Sequence, residues 1–190
     1  MKVHAMVLGL FLCAQSACAH AGVVVAATYW ARLQTAASIR EGHGPTAFAI
    51  FFDPNCPYCH HLYAQVQTLL RARTLTVEWI PVGILTLSSF GKAAALLRAP
   101  HPREALAAAE NGFGPGGGAI VPRRATASIG RALRINEQLL GEGGAQGVPF
   151  VVYRGANGRA HTITGDPPSA RLRALWTRLA PKTKRRRAKP

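Results

Sequence analysis

Cysteine is scarce in this sequence, which excludes a scaffold held together by disulfides. The chain of 190 residues contains 4 cysteines, and Cys13 and Cys18 lie in an N-terminal segment that we interpret below as an export signal. The remaining pair, Cys56 and Cys59, closes too short a loop to stabilise a fold much by chain entropy. The pair is therefore better explained by its chemistry, although a basic binding module with a purely structural CxxC is an alternative.

Two further shortages bear on metal chemistry. A structural zinc site takes four ligands, and because a second CxxC pair is lacking, histidines would have to complete it. The run from Cys56 to His60 also matches the C-x-x-C-H pattern of c-type haem attachment. Both methionines, Met1 and Met6, lie in the N-terminal segment, so a methionine axial ligand is not available. A haem electron carrier stays open as an interpretation, with a second ligand from His43, His61, His101 or His161.

Acidic residues are also scarce, since 8 Asp+Glu stand against 23 Lys+Arg, a formal net charge of +15. Part of the excess lies in the segment after Pro181, which carries no large apolar residue. Such a composition favours a disordered, solvated tail at 181–190. Contact with nucleic acid or anionic lipid is the alternative. No aromatic residue interleaves the basic ones to stack on single strands, and nucleic acid is not an expected partner.

The apolar run at residues 5–14 is too short to cross a bilayer as a helix, which takes about 20 residues. With Lys2 before it and Ala19-His20-Ala21 after it, the run is typical of a cleavable signal peptide at residues 1–21. An uncleaved anchor and a lipoprotein signal are the alternatives. The sequence therefore predicts export to the periplasm.

The rest of the chain fits one α/β domain, in which strands and helices alternate. We predict an N-terminal helix and linker at 22–45, with the helix over 26–41, and a domain over 46–180. The continuous apolar run Thr46 to Phe52 predicts a strand buried on both faces, and 75–82 predicts another. A helical insertion follows at about 88–140, with a glycine-rich stretch at 112–118. Strands at 148–153 and 159–164 then flank an Asn157-Gly158 turn, before a last helix at 168–179.

The CxxC lies at the junction of a buried strand and a helix, where a thiol becomes reactive. A helix N-terminus favours the thiolate, the species that attacks in disulfide exchange. Cys56, at the helix start, is therefore expected to be the nucleophile with a lowered pKa, and Cys59, one turn in, the resolving thiol. Pro57 is tolerated in the first turn. His60 and His61 could add positive charge, or could be ordinary exposed polar residues.

The run Phe51-Phe52-Asp53-Pro54-Asn55-Cys56-Pro57-Tyr58-Cys59-His60 resembles the active-site segment of the periplasmic disulfide isomerase family, DsbC and DsbG, and is most similar to the DsbG type. The resemblance extends over about 28–180, where Gly147-Val148-Pro149-Phe150 is similar to the family's cis-proline loop. It implies a thioredoxin-like fold with a helical insertion before the C-terminal hairpin, and no cofactor. It also implies a redox-active disulfide between Cys56 and Cys59. The substrate-binding residues that it implies are Pro57, Tyr58, His60, Val148 and Pro149.

Two departures from the family change what the resemblance implies. The N-terminal dimerisation domain is missing, so we expect a monomer. Val148 stands where the isomerases usually have Thr, and the oxidase DsbA also has Val there, which leaves the direction of electron flow open. A DsbG-type reductase or isomerase would take cysteine-containing exported proteins as substrates and a membrane thiol reductant as partner. A DsbA-like oxidase is the alternative within the same class.

Overall fold

The computed structural model describes residues 23–25, 27–71, 74–155 and 158–181. Within these residues the strands are β1 (Val23–Val25), β2 (Ile39–Gly42), β3 (Thr46–Phe52), β4 (Thr76–Pro81), β5 (Phe150–Arg154) and β6 (Ala160–Thr164). The helices are α1 (Ala27–Leu33), α2 (Pro57–Leu70), α3 (Ser89–Arg98), α4 (Pro102–Asn111), α5 (Ala127–Glu142) and α6 (Ser169–Leu179). The predicted signal peptide, the basic residues 182–190 and Asn157 of the predicted turn lie outside the described residues.

The strands form one mixed sheet in the order β1-β6-β5-β3-β4-β2. Strand β3 is central, because it pairs in parallel with β4 on one side and in antiparallel fashion with β5 on the other. Its successive side chains point to opposite faces of the sheet. Phe48, Ile50 and Phe52 enter the core beneath α2 and α6, and Ala49 and Phe51 enter the core shared with α1 and α5. Burial on both faces explains why the strand reads as an unbroken apolar run.

The predicted order of elements after residue 46 is confirmed. Strand β3 has the predicted bounds, and the helices α3, α4 and α5 form the predicted insertion between β4 and β5. Strands β5 and β6 pair in antiparallel fashion as the two arms of the C-terminal hairpin. None of the helices in the described parts of the chain is long and apolar enough to cross a membrane.

The prediction of a helix over 26–41 is wrong beyond Leu33. Helix α1 ends there, and residues 39–42 form β2, which pairs with β4. The backbone N-H and C=O of Ala37 hydrogen bond to the side chain of Asn136 on α5, at 3.0 and 2.9 Å, instead of to a helical turn. In β2 the buried carboxylate of Glu41 accepts a hydrogen bond from Trp79 Nε1 at 2.8 Å. Partners distant in the sequence therefore override the local preference for helix.

Candidate active site

Cys56 occupies the N-cap position of α2, four residues after the end of β3. Its backbone is extended, with φ −88° and ψ 112°, and Pro57 is the first residue of the helix. The sulfur accepts a hydrogen bond from the backbone N-H of Cys59 at 3.2 Å. An N-cap side chain normally satisfies one of the free N-H groups at a helix start in this way. In this chain the capping side chain is the thiol of Cys56.

The two thiols differ in acidity. The pKa of Cys56 lies below its ordinary value, chiefly because the Cys59 side chain hydrogen bonds to its sulfur, with further help from the backbone N-H groups of Cys59 and Tyr58 and against the effect of burial. The pKa of Cys59 is strongly raised, first by burial and then by its hydrogen bond to Cys56. Both are free thiols in this structure. Cys56 therefore ionises first, which suits the attacking thiol.

The segment before β5 lies directly beside Cys56. The peptide bond between Val148 and Pro149 is cis, as the resemblance implied. The Cys56 sulfur lies 3.6 Å from the carbonyl oxygen of Val148. Tyr58, in the first turn of α2, is 67% exposed, whereas Cys56 is 2% exposed. The structure thus brings Cys56, Cys59, Val148 and Pro149 together, with Tyr58 at the surface next to them.

The carboxylate of Asp53 fixes the loop that leads from β4 to α3. It is buried and accepts hydrogen bonds from the backbone N-H groups of Ile84 and Leu85, at 2.8 and 3.0 Å, and from the Ser89 hydroxyl at 2.7 Å. The same loop exposes the side chains of Ile84, Leu85 and Leu87 to solvent. No role was predicted for Asp53 from the sequence. The available signal was an acidic residue directly after the buried apolar run 46–52.

His60 faces α4, and its ring is held there by two contacts. Its Nδ1 lies 2.9 Å from a carboxylate oxygen of Glu110, and the ring stacks on Phe113 with centroids 4.5 Å apart. His61 points to Asp166 on the other side of α2. Neither histidine is among the groups that shift the pKa of Cys56. Among the described residues no group of three or more His, Cys, Asp and Glu side chains is arranged to hold a metal ion.

A central strand that ends in a CxxC at a helix start, with a cis-proline segment against the first thiol, is the site of a thioredoxin-like protein. The family described as thioredoxin-like domain matches residues 33–180, and the chain belongs to it. The chain is 30% identical over 145 residues to the thiol:disulfide interchange protein DsbG of Pseudomonas aeruginosa, covering 75% of this chain and 56% of that protein. It is 24% identical over 151 residues to DsbG of Escherichia coli, covering 77% and 59%.

The chain thus spans somewhat over half the length of both curated relatives. A periplasmic thioredoxin-like protein from Salmonella enterica serovar Typhimurium has the same fold, with a TM-score of 0.65 at 22% identity over 80% of this chain and 96% of that one. The predicted thioredoxin-like fold with its helical insertion is therefore confirmed, as is the predicted similarity to DsbG.

Proposed function

We propose that this protein is a thiol-disulfide oxidoreductase that acts through Cys56. The observation that carries the proposal is the position of the Cys56 sulfur, which caps α2, has a lowered pKa and lies against the Val148 carbonyl. A thiolate is the species that attacks a disulfide, and a helix N-terminus stabilises it. The names of the two curated relatives, thiol:disulfide interchange proteins, support the same activity.

The reaction proceeds in two exchanges. The Cys56 thiolate attacks one sulfur of a substrate disulfide, and a mixed disulfide forms while the other substrate sulfur leaves as a thiolate. Cys59 then loses its proton and attacks the Cys56 sulfur, which releases the second substrate thiol and leaves the Cys56 to Cys59 disulfide. Two electrons pass to the substrate. A membrane thiol reductant would return two electrons to the pair. In isomerisation, a different substrate thiolate attacks the substrate sulfur of the mixed disulfide, so that Cys56 leaves as a thiolate and a new substrate disulfide forms without net reduction.

The same site run in the opposite direction is an oxidase, and one observation favours it. The lowered pKa of Cys56 stabilises the reduced form, and a stabilised reduced form makes the disulfide a stronger oxidant. We propose the DsbG-type direction first because the relatives are of that type. The reduction potential of the couple separates the two candidates, with a value near about −120 mV indicating an oxidant and one near about −270 mV a reductant.

The expected substrates are cysteine-containing proteins exported to the periplasm. Tyr58 is exposed in the first turn of α2, and Ile84, Leu85 and Leu87 are exposed on the loop whose backbone hydrogen bonds to Asp53. Exposed apolar side chains of this kind would suit contact with segments that are not yet folded. The excess of positive charge opposes self-association and supports a monomer, which light scattering at micromolar concentration would test. Secretion with loss of residues 1–21, detected by N-terminal sequencing, would test the location.

The proposal is tested by trapping with a peptide that contains one disulfide. Cys59→Ala keeps the attacking thiol and lacks the resolving one, so it should accumulate a mixed disulfide with the peptide on a non-reducing gel. Cys56→Ala should not. Equal trapping by the two variants would show that the roles are assigned wrongly, and no trapping by either would remove the proposed activity.

A further inference from the structure

Lys92 is a buried lysine on α3 whose ammonium group points at the loop before Cys56. Its side chain is 7% exposed. The ammonium donates three hydrogen bonds, to Asn55 Oδ1 at 2.8 Å and to the backbone carbonyls of Gly116 and Gly118. A lysine ammonium has three donors, and all three are used. Since a buried charge is costly without such partners, the lysine constrains where these oxygens can lie.

The Asn55 side chain links Lys92 to the loop between β4 and α3. With its oxygen held by Lys92, its Nδ2 group faces the hydroxyls of Thr86, Ser88 and Ser89 at 2.7 to 3.0 Å. The lysine therefore decides which way the Asn55 amide points. Asn55 directly precedes Cys56, so the amide network determines the path of the backbone into the N-cap of α2.

The glycine-rich stretch packs onto the same loop. The N-H of Gly118 donates to the Pro54 carbonyl at 2.7 Å. Gly117 has φ +81°, a left-handed backbone conformation that favours glycine. A methyl group added there would overlap the Asn55 side chain and lie 2.7 Å from the Asn55 Cα. Close approach of the two backbones therefore requires glycine at 117, and Lys92 holds the two together.

We propose that Lys92 is a positioning residue for the nucleophile: through Asn55 and the glycine loop it holds the turn before Cys56 so that the sulfur caps α2. The role of Cys56 as a nucleophile rests on the proposed function. The effect of Lys92 on the reactivity of Cys56 does not, because alkylation measures it without any disulfide exchange. Lys92 acts through its neighbours, and it is not among the groups that shift the pKa of Cys56 directly.

The test is the pH profile of Cys56 alkylation by iodoacetamide, read by mass spectrometry of the Cys56 peptide in the full reduced chain. Lys92→Met keeps the length of the side chain and removes its three donors. We expect the profile to move to higher pH and the rate at pH 6 to fall about five-fold, the factor for a weakened capping hydrogen bond. A folded Lys92→Met protein with the wild-type profile would overturn the proposal, even if it were less stable.

Two glycine variants make the test independent of Lys92→Met folding. Gly117→Ala should displace Asn55 and shift the alkylation profile in the same direction. Gly114→Ala is the matched control, because a methyl group there meets nothing within 4 Å, and it should leave the profile unchanged. Equal profiles for the two glycine variants would contradict the proposal. Absence of trapping by Cys59→Ala, with these shifts intact, would remove the proposed function and leave the role of Lys92 standing.

Discussion

The sulfur of Cys56 lies 3.6 Å from the carbonyl oxygen of Val148, a residue 92 positions further along the chain. The contact joins the start of α2 to the segment that enters β5. Strands β3 and β5 are hydrogen-bonded neighbours in the sheet. Cys56 follows the end of β3, and Val148 precedes the start of β5. The central sheet therefore sets the distance between the thiol and the backbone that faces it.

The two thiols should form one intramolecular disulfide. They lie on the first turn of one helix with the Cys56 sulfur 3.2 Å from the Cys59 nitrogen, so a small oxidant should close the pair in the chain lacking residues 1–21. Mass spectrometry of the peptide that contains both Cys56 and Cys59 should show a mass two hydrogens below that of the reduced peptide. The mass of the protein should show no added metal. A Soret band in protein from cells that attach haem would instead support the haem interpretation of the C-x-x-C-H run.

Val148→Thr should change the reduction potential by roughly 30 mV, the equivalent of one hydrogen bond to a charged group. The new hydroxyl would lie in the residue whose carbonyl faces the Cys56 sulfur, and the similar shape of the two side chains should spare stability. The potential should rise if the hydroxyl donates to the thiolate and fall if it favours the disulfide. Equilibration with glutathione measures the change. Val121→Thr, at an exposed site, is the control, and a potential equal to that of the control would contradict the prediction.

The sequence predicted the central strand and the CxxC helix because their signals are local. An unbroken apolar run, a proline at a helix start and a periodic apolar face each occur within one element. The error at residues 34–41 had the opposite cause, since Asn136 hydrogen bonds to Ala37 and Trp79 to Glu41 in that segment. A local pattern carries no information about partners so far along the chain.

In the candidate site, too, the residues marked by a local motif were predicted and those that depend on distant partners were not. Cys56 and Cys59 follow from one motif, and Pro149 followed from resemblance. The roles of Asp53 and Lys92 in the loop were missed, because each depends on contacts with residues at least 24 positions away. Their residue types were visible, but the partners that give them meaning are assembled only by the fold.

Asp53→Asn should lower the pKa of Cys56 further. The Asp53 carboxylate opposes ionisation of Cys56 through its charge, so a neutral amide should make the thiol more acidic and its alkylation faster below neutral pH. The change should also destabilise the reduced protein by about 1 to 3 kcal/mol, because the amide cannot accept every hydrogen bond that the carboxylate does. Alkylation profiles and urea unfolding measure the two effects. Asp166→Asn is the matched control, and a pKa of Cys56 that rose in Asp53→Asn but not in the control would contradict the electrostatic argument.

Glu110→Gln should change how stability depends on pH. Burial raises the pKa of Glu110 above its ordinary value, although its hydrogen bond and attraction to His60 oppose the shift. The folded state therefore holds the proton more tightly than the unfolded state. The contribution of this group to stability is present below the ordinary carboxylate pKa and is lost as the pH rises through and above it.

The free energy of unfolding of the wild-type protein, measured in urea from pH 4 to pH 8, should accordingly fall relative to that of Glu110→Gln, in which position 110 does not titrate. Glu104→Gln, at an exposed position in the first turn of the same helix, should give a curve parallel to that of the wild-type protein. If the curve of Glu110→Gln were also parallel to the wild type, the buried Glu110 carboxylate would contribute no pH dependence. His60 would then owe its orientation to the stack on Phe113 rather than to the carboxylate.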